Sequence, residues 1–283
     1  MTNTAAFKAI VCLALLGAMP MPLLAQARAG DPTPAPAFAT ATGVSVTVWM
    51  TQLRGPRGLT IDPAGRLWVA EESAGRVTRI DAERRSMVIA TGLHGPHDLA
   101  LDAQGRVYVA ETATGNILVL REGQPARIHI ADLDSPVDLD FDASGRLLVC
   151  ELVGARVSVF EGTRKVGTLV EGFRPHGLAF AGGGAVYVSD TSGRRVVKVV
   201  AGQAVATVAT QVDGPIGLAI GPSGDVFVAE RGAGRVLRIR PDGTSVAVIQ
   251  GLTTPRDPVF DKHGNLFVAE TDAGRVLRLV GSF

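Results

Sequence analysis

Between residues 45 and 283 the apolar positions fall in short runs, either alternating with polar residues or continuous over four or five positions. Gly, Pro, Asp or Asn punctuates the runs. Helical i, i+3, i+4 spacing is not seen, so the pattern predicts short β-strands joined by tight turns. One stretch shows the full set: Asp98–Leu101, Arg106–Glu111, Asn116–Leu120 and Ala126–Leu133. The first turn is often D-x-x-G, as in Asp102-Ala103-Gln104-Gly105. Glycine there can take a positive φ without penalty, as an antiparallel hairpin requires.

The runs themselves repeat. Pro56, Pro96, Pro136, Pro175, Pro215 and Pro255 are spaced by 40, 40, 39, 40 and 40 residues. A fixed period of this length with four strands per unit predicts a propeller blade. The expected fold is therefore all-β: a six-bladed β-propeller of four-stranded antiparallel blades. The sixth unit ends after its third strand, at Gly274 to Val280. An orphan run, Ser45 to Leu53, precedes Pro56 just as Ala126–Leu133 precedes Pro136. The N-terminal strand is expected to close the last blade and protect its open edge.

Composition modifies the picture at the N-terminus. Lys8, the apolar stretch Ala9 to Leu24 and the small residues of Ala25-Gln26-Ala27 form a secretory signal-peptide pattern over residues 1–27, with the cut expected after Ala27. Pro20 and Pro22 interrupt the roughly 20 apolar residues that a stable membrane span needs. Residues 28–44, rich in Pro and Ala, read as a linker, and 45–283 as the propeller. The expected location is periplasmic or secreted.

Removing residues 1–27 takes away Lys8 and leaves 27 basic and 27 acidic side chains. A neutral chain lacks the basic footprint of a nucleic-acid binder. Cys150 is then the one remaining cysteine, at the position held elsewhere by Ala70, Ala110, Ser189, Ala229 and Ala269. It reads as a small core residue.

These units resemble NHL repeats: a proline, a small residue, an apolar strand, a Gly turn, then an apolar strand ending in an acid. The resemblance is to a superfamily of six- and seven-bladed propellers. It includes scaffolds, gluconolactonase-like proteins, virginiamycin B lyase-like proteins and an amidating lyase. The fold alone does not choose among them.

Positions that recur in every blade read as scaffold. An acid ends each second strand (Glu71, Glu111, Glu151, Asp190, Glu230, Glu270). Five residues later stand Arg76, Asn116, Arg156, Arg195, Arg235 and Arg275. Two residues after each proline stand Gly58, Asp98, Asp138, Gly177, Gly217 and Asp257. Local turn capping is their expected role, and Asp98, Asp138 and Asp257 are also candidate ligand-binding groups.

Departures from the repeat carry the candidate chemistry. The residue after each proline is Arg57, His97, Val137, His176, Ile216 and Arg256. Propellers converge such side chains on the channel axis. In one reading Arg57 and Arg256, from blades adjacent in a closed ring, bind a small anionic ligand or a partner protein at the channel mouth. In the alternative, His97 and His176 act as catalytic acid and base or as metal ligands for Zn, Mg or Ca in a lyase or hydrolase. Resemblance to the amidating lyase implies zinc ligands at Pro-His units in alternate blades. His97 and His176 match two of these, and the third carries Arg256. Virginiamycin B lyase-like proteins use Pro-His in adjacent blades, which is not the arrangement here. Gluconolactonase-like proteins use Asn and acidic calcium ligands in the channel; here Asn3 lies in the signal-peptide stretch and Asn116 and Asn265 in or beside hairpins, so that calcium site is not expected.

Overall fold

The computed structural model describes residues 38–200 and 205–283. The signal-peptide expectation and most of the 28–44 stretch lie outside the described residues. The rest forms six antiparallel sheets, one per repeat. In blade two the strands are Pro96–Leu101, Val107–Glu111, Asn116–Leu120 and Arg127–Ile130, paired in that order. Blades one, three, four and five begin with the equivalent inner strands Pro56–Ile61, Pro136–Phe141, Pro175–Phe180 and Pro215–Ile220. Blade six begins with Pro255–Phe260. Its outermost strand is Ser45–Met50, which pairs antiparallel with Arg275–Val280 through Ser45↔Val280 to Met50↔Val276.

Why the second strands are so apolar follows from where they lie. Sequences such as Leu67–Glu71 (LWVAE) and Val226–Glu230 (VFVAE) are buried along their whole length. Both faces pack on neighbouring blades, so no polar alternation survives. Outer strands have one face in water and alternate weakly or not at all. Ser86–Thr91 is exposed over much of its length. The core is accordingly six interfaces between successive sheets. Leu59, Leu67, Val69 and Ile80 of blade one pack on Phe267, Ala269 and Val276 of blade six, so first and last repeats are neighbours. Burying each of the Leu, Ile, Val and Phe side chains contributes roughly 1.5–3 kcal/mol.

The D-x-x-G turns form as the pattern requires. Asp62 Oδ1 accepts the Ala64 and Arg66 amides at 3.0 and 2.9 Å, and Gly65 takes φ 81°. The end of the stretch read as a linker is not free chain. Ala39 and Thr40 pair with Gln250 and Ile249, adding a fifth strand to blade five.

Candidate functional site

Each inner strand starts with an irregularity. In blade one Pro56 faces Glu71 and Leu59 faces Val69, so Arg57 and Gly58 oppose the single residue Ala70. The same shift occurs at Pro96, Pro136, Pro175, Pro215 and Pro255. An extra residue of this kind bends the strand and re-aims its side chains. Here it brings residues just after the prolines to a narrow common cavity of about 10 Å³ in the channel, room for about one water. Arg57, His97, Val137, His176, Ile216 and Arg256 all line it, as do Asp98, Asp138 and Asp257.

The four polar residues after the prolines are close-packed. Arg57 Nη1 lies 2.9 Å from His97 Nε2, and its Nε donates to Glu72. The His97 and His176 rings are 5.2 Å apart between centroids. Both imidazoles and Arg256 are buried. Burial, reinforced by His176, Arg57 and Arg256, pushes the His97 pKa well below its ordinary value. Burial and Arg256 bring His176 down to about 3. Both rings are therefore neutral at neutral pH. Arg256 is lowered to about 10 by burial and by repulsion from Arg57 and Arg231. It stays charged, and its buried Nε has no hydrogen-bond partner in the protein.

The ring two residues after each proline does more than cap turns. Asp98 Oδ2 accepts the Leu139 amide of the next blade at 3.2 Å. Asp257 Oδ2 accepts the Leu59 amide at 2.8 Å, spanning blades six and one. These carboxyls join one inner strand to the next, which corrects the expectation of local capping. Where glycine replaces Asp, the blades touch directly: a Cβ on Gly58 would meet Asp98 Oδ1 at 2.3 Å. In blade four the stitching passes to Ser189, whose Oγ accepts the Gly177 amide at 2.8 Å and donates to the Ile216 carbonyl at 2.6 Å.

Burial raises Asp98 to about 7, against the pull of the Leu99 and Leu139 amides. Asp138 is raised further by burial and by Asp98 and Asp257, and Asp257 by burial and Asp98. Asp140 joins them from below, raised by burial to about 6. These four line a wider cavity of about 270 Å³ at the opposite end of the channel.

The recurring acids form pins rather than a site. The Glu71 carboxylate accepts from Arg76 Nε and Nη2 at 2.7 and 2.8 Å and from the Arg54 amide at 2.7 Å. Glu151 repeats this with Arg156 and the Asp134 amide. Burial raises Glu71, but the bonds from Arg76, Thr78 and Arg54 outweigh it and hold the acid below its ordinary pKa. Burial pushes the Cys150 thiol well up, which suits a core residue and not a nucleophile.

Three residues in the column after the acids were not singled out from the sequence. The position after each acid carries Glu72, Thr112, Leu152, Thr191, Arg231 and Thr271. The three threonines donate to the proline carbonyl of the next blade, at 2.7 Å to Pro136, 3.0 Å to Pro215 and 2.7 Å to Pro56. Alternate blades break this bond with an acid, an apolar residue and a base. Comparing the repeats at this column as well as the proline column would have exposed Glu72, Leu152 and Arg231.

The surroundings of His97 and His176 bear on the expected metal roles. His97 Nε2 is engaged by Arg57, and Arg256 stands beside His176. Among the described residues no three His, Cys, Asp or Glu side chains are grouped to hold a metal ion. Both rings are held neutral near neutral pH, the form in which an imidazole can accept a proton.

Comparison with known proteins agrees with this geometry at the level of architecture. Residues 85–120 match the family model described as strictosidine synthase-like, N-terminal. No curated protein matches the chain. A gluconolactonase from Xanthomonas campestris superimposes with a TM-score of 0.75 at 18% identity, covering 84% of this chain and 90% of that one. The calcium-binding protein regucalcin from Agrobacterium tumefaciens gives 0.70 at 19%, covering 86% and 94%. Virginiamycin B lyase from Staphylococcus aureus gives 0.64 at 14%, covering 86% and 99%. The likeness is one of fold. The chain is a six-bladed β-propeller with the architecture of the lyase and gluconolactonase structures, and its site must be argued from its own residues.

Proposed function

We propose that this chain is an exported propeller that binds a small anionic ligand at the Arg57/Arg256 mouth of its channel. Export rests on the signal-peptide pattern of residues 1–27. One observation carries the ligand class. Arg256 is buried and positively charged, and its Nε has no acceptor within the protein. A buried charged donor without a partner is costly. A carboxylate or phosphate oxygen would satisfy it through a charge-assisted bond. Arg57 on the adjacent blade and Arg231 add positive potential, and the neutral imidazoles of His97 and His176 supply polar contacts without further charge.

Calorimetric titration with acetate, citrate and inorganic phosphate tests this reading. The wild type should bind at least one of these anions, and Arg57→Gln and Arg256→Gln should each weaken it about tenfold, in line with the loss of one charged hydrogen bond. Undiminished binding in both variants would sink the proposal.

A lyase or hydrolase reading is supported by Asp98, whose raised pKa of about 7 suits proton transfer at neutral pH. In that reading Asp98, rather than His97 or His176, takes the proton. Asp98→Asn should then abolish turnover while leaving anion binding in place.

A further inference from the structure

Six residues beyond the start of the first turn, each blade carries a large apolar side chain: Trp68, Tyr108, Leu148, Tyr187, Phe227 and Phe267. Blade three alone has no ring in this column. Elsewhere such rings cross the blade boundary edge-on. Tyr108 meets Phe141, the last residue of the next inner strand, at 5.0 Å between centroids and 67° between planes. Phe227 meets Phe260 in the same way at 4.8 Å and 76°. Phe180 ends the inner strand of blade four, and it packs against the cluster that contains Leu148.

The turn acid belongs to the same pattern. Asp62 Oδ2 accepts from Trp68 Nε1 at 2.9 Å, and Asp102 Oδ2 from the Tyr108 hydroxyl at 3.4 Å. Arg106 lies over the Tyr108 ring, 5.7 Å from its centroid. Asp142 and Arg146 occupy the corresponding places in blade three and bond each other at 2.7 Å, with Leu148 standing in place of the ring.

A cavity of about 460 Å³ opens here between blades three and four, lined by Leu148, Phe180, Asp142 and Arg146. Small-ligand pockets span about 300–1,000 Å³. Its other walls are also short of side chains. Gly167 on the outer strand of blade three lines it, as do Gly183 and Gly184 in the turn that replaces D-x-x-G in blade four. A Cβ built on any of these three would have nothing within 4 Å. The cavity shares no lining residue with the Arg57/Arg256 mouth.

We infer that this crevice binds a small aromatic molecule carrying a ring hydroxyl or ring N–H, of the phenol or indole class. Its ring lies edge-on to Phe180, as Tyr108 lies to Phe141. Its donor bonds Asp142, as Trp68 and Tyr108 bond Asp62 and Asp102. An edge-on ring pair and a hydrogen bond to a carboxylate each favour such a ligand over an aliphatic one. The site is separate from the anion-binding mouth and does not depend on it.

Calorimetric titration of the protein with phenol, indole, anisole and cyclohexanol tests the assignment. Phenol and indole should bind. Anisole, which lacks the donor, should bind about tenfold more weakly than phenol, the loss of one hydrogen bond to a charged group. Cyclohexanol, which keeps the donor and lacks the flat ring, should also bind more weakly. Leu148→Tyr restores the ring that the other blades carry and should abolish phenol and indole binding. Gly167→Leu fills the same space from an exposed strand, so it gives the same reading should Leu148→Tyr fail to fold. No binding of phenol or indole to the wild type, or undiminished binding in a folded Leu148→Tyr or Gly167→Leu protein, would overturn the inference. Equal affinity for phenol and anisole, or for phenol and cyclohexanol, would overturn the ligand class. A concentration-dependent dimer abolished by Gly167→Leu would give the crevice to a second copy of the chain and overturn the small-molecule reading.

Discussion

Arg57 and His97, on neighbouring blades, meet at 2.9 Å between Nη1 and Nε2. A guanidinium only donates, so the imidazole accepts at Nε2 and carries its proton at Nδ1. The contact fixes one ring tautomer and holds Arg57 toward the channel axis. It also makes protonation of His97 unfavourable, since an imidazolium would face Arg57 as cation against cation.

That arrangement gives stability a definite pH dependence. The folded-state pKa of His97 lies well below 6.5, and that of His176 near 3, chiefly through burial. In the unfolded chain both take protons near pH 6.5. Protons therefore favour unfolding as the pH falls below about 6.5, and this contribution to stability is retained above it. Urea unfolding at pH 7.5 and pH 5 should show the wild type losing more stability on acidification than His97→Gln/His176→Gln. Equal losses in the two proteins would contradict the neutral, buried imidazoles.

The carboxyl ring works in the opposite sense. Asp98 is raised by burial to about 7, so the folded chain holds a proton that the unfolded chain has released. Its stabilising contribution is complete below pH 3.8 and is lost as the pH rises through about 7. Asp98→Asn keeps an oxygen for the Leu139 amide and removes the titration. Thermal melts should show the variant gaining on the wild type between pH 5 and pH 8. A gain of a few degrees is expected, since about 1 kcal/mol shifts Tm by about 2–4 °C for a chain of this size.

Close approach of the inner strands should make Gly58 intolerant of a side chain. A Cβ there would lie 2.5 Å from the Asp98 Cα, a backbone atom that cannot rotate away. Gly58→Ala should cost about 1–3 kcal/mol by chemical denaturation. Gly167, on the exposed outer strand Arg164–Glu171, has nothing within 4 Å of the same atom. Gly167→Ala should stay within about 0.5 kcal/mol of the wild type.

Two truncations should separate the roles of the N-terminal segments. Deleting residues 28–53 removes Ser45–Met50, uncovers the Arg275–Val280 edge and takes away Trp49, which packs on Phe267 and lies under Arg84 and Arg278. Tm should fall by on the order of 10 °C, with aggregation through the open edge. Deleting residues 28–40 removes, among the described residues, the two-residue pairing of Ala39 and Thr40 and the packing of Phe38, and should cost far less. Similar losses in both would show that Ser45–Met50 is not what holds blade six.

Much of this architecture is written in local chemistry. The 40-residue spacing of the prolines, the D-x-x-G turns and the apolar second strands each specify a blade by short-range rules, and the orphan run Ser45 to Leu53 points to its missing partner by count alone. The columns of repeated positions likewise placed Arg57, His97, His176 and Arg256 around one axis. What only the tertiary structure decided lies between blades. Asp98 and Asp257 look like turn residues in sequence, yet they bond amides of the next blade, because the bulge after each proline turns them sideways. His97 and His176 look alike in sequence, yet burial beside two guanidiniums keeps both neutral, and His97 alone is engaged by Arg57. Arg231 and Glu72 acquire a role only because the ring brings their charges close to Arg256, from blades distant in the chain. Turn and strand propensities act over a few neighbours and so survive in a sequence. Burial, and the charge that crosses from one blade to the next, exist only once the ring has closed.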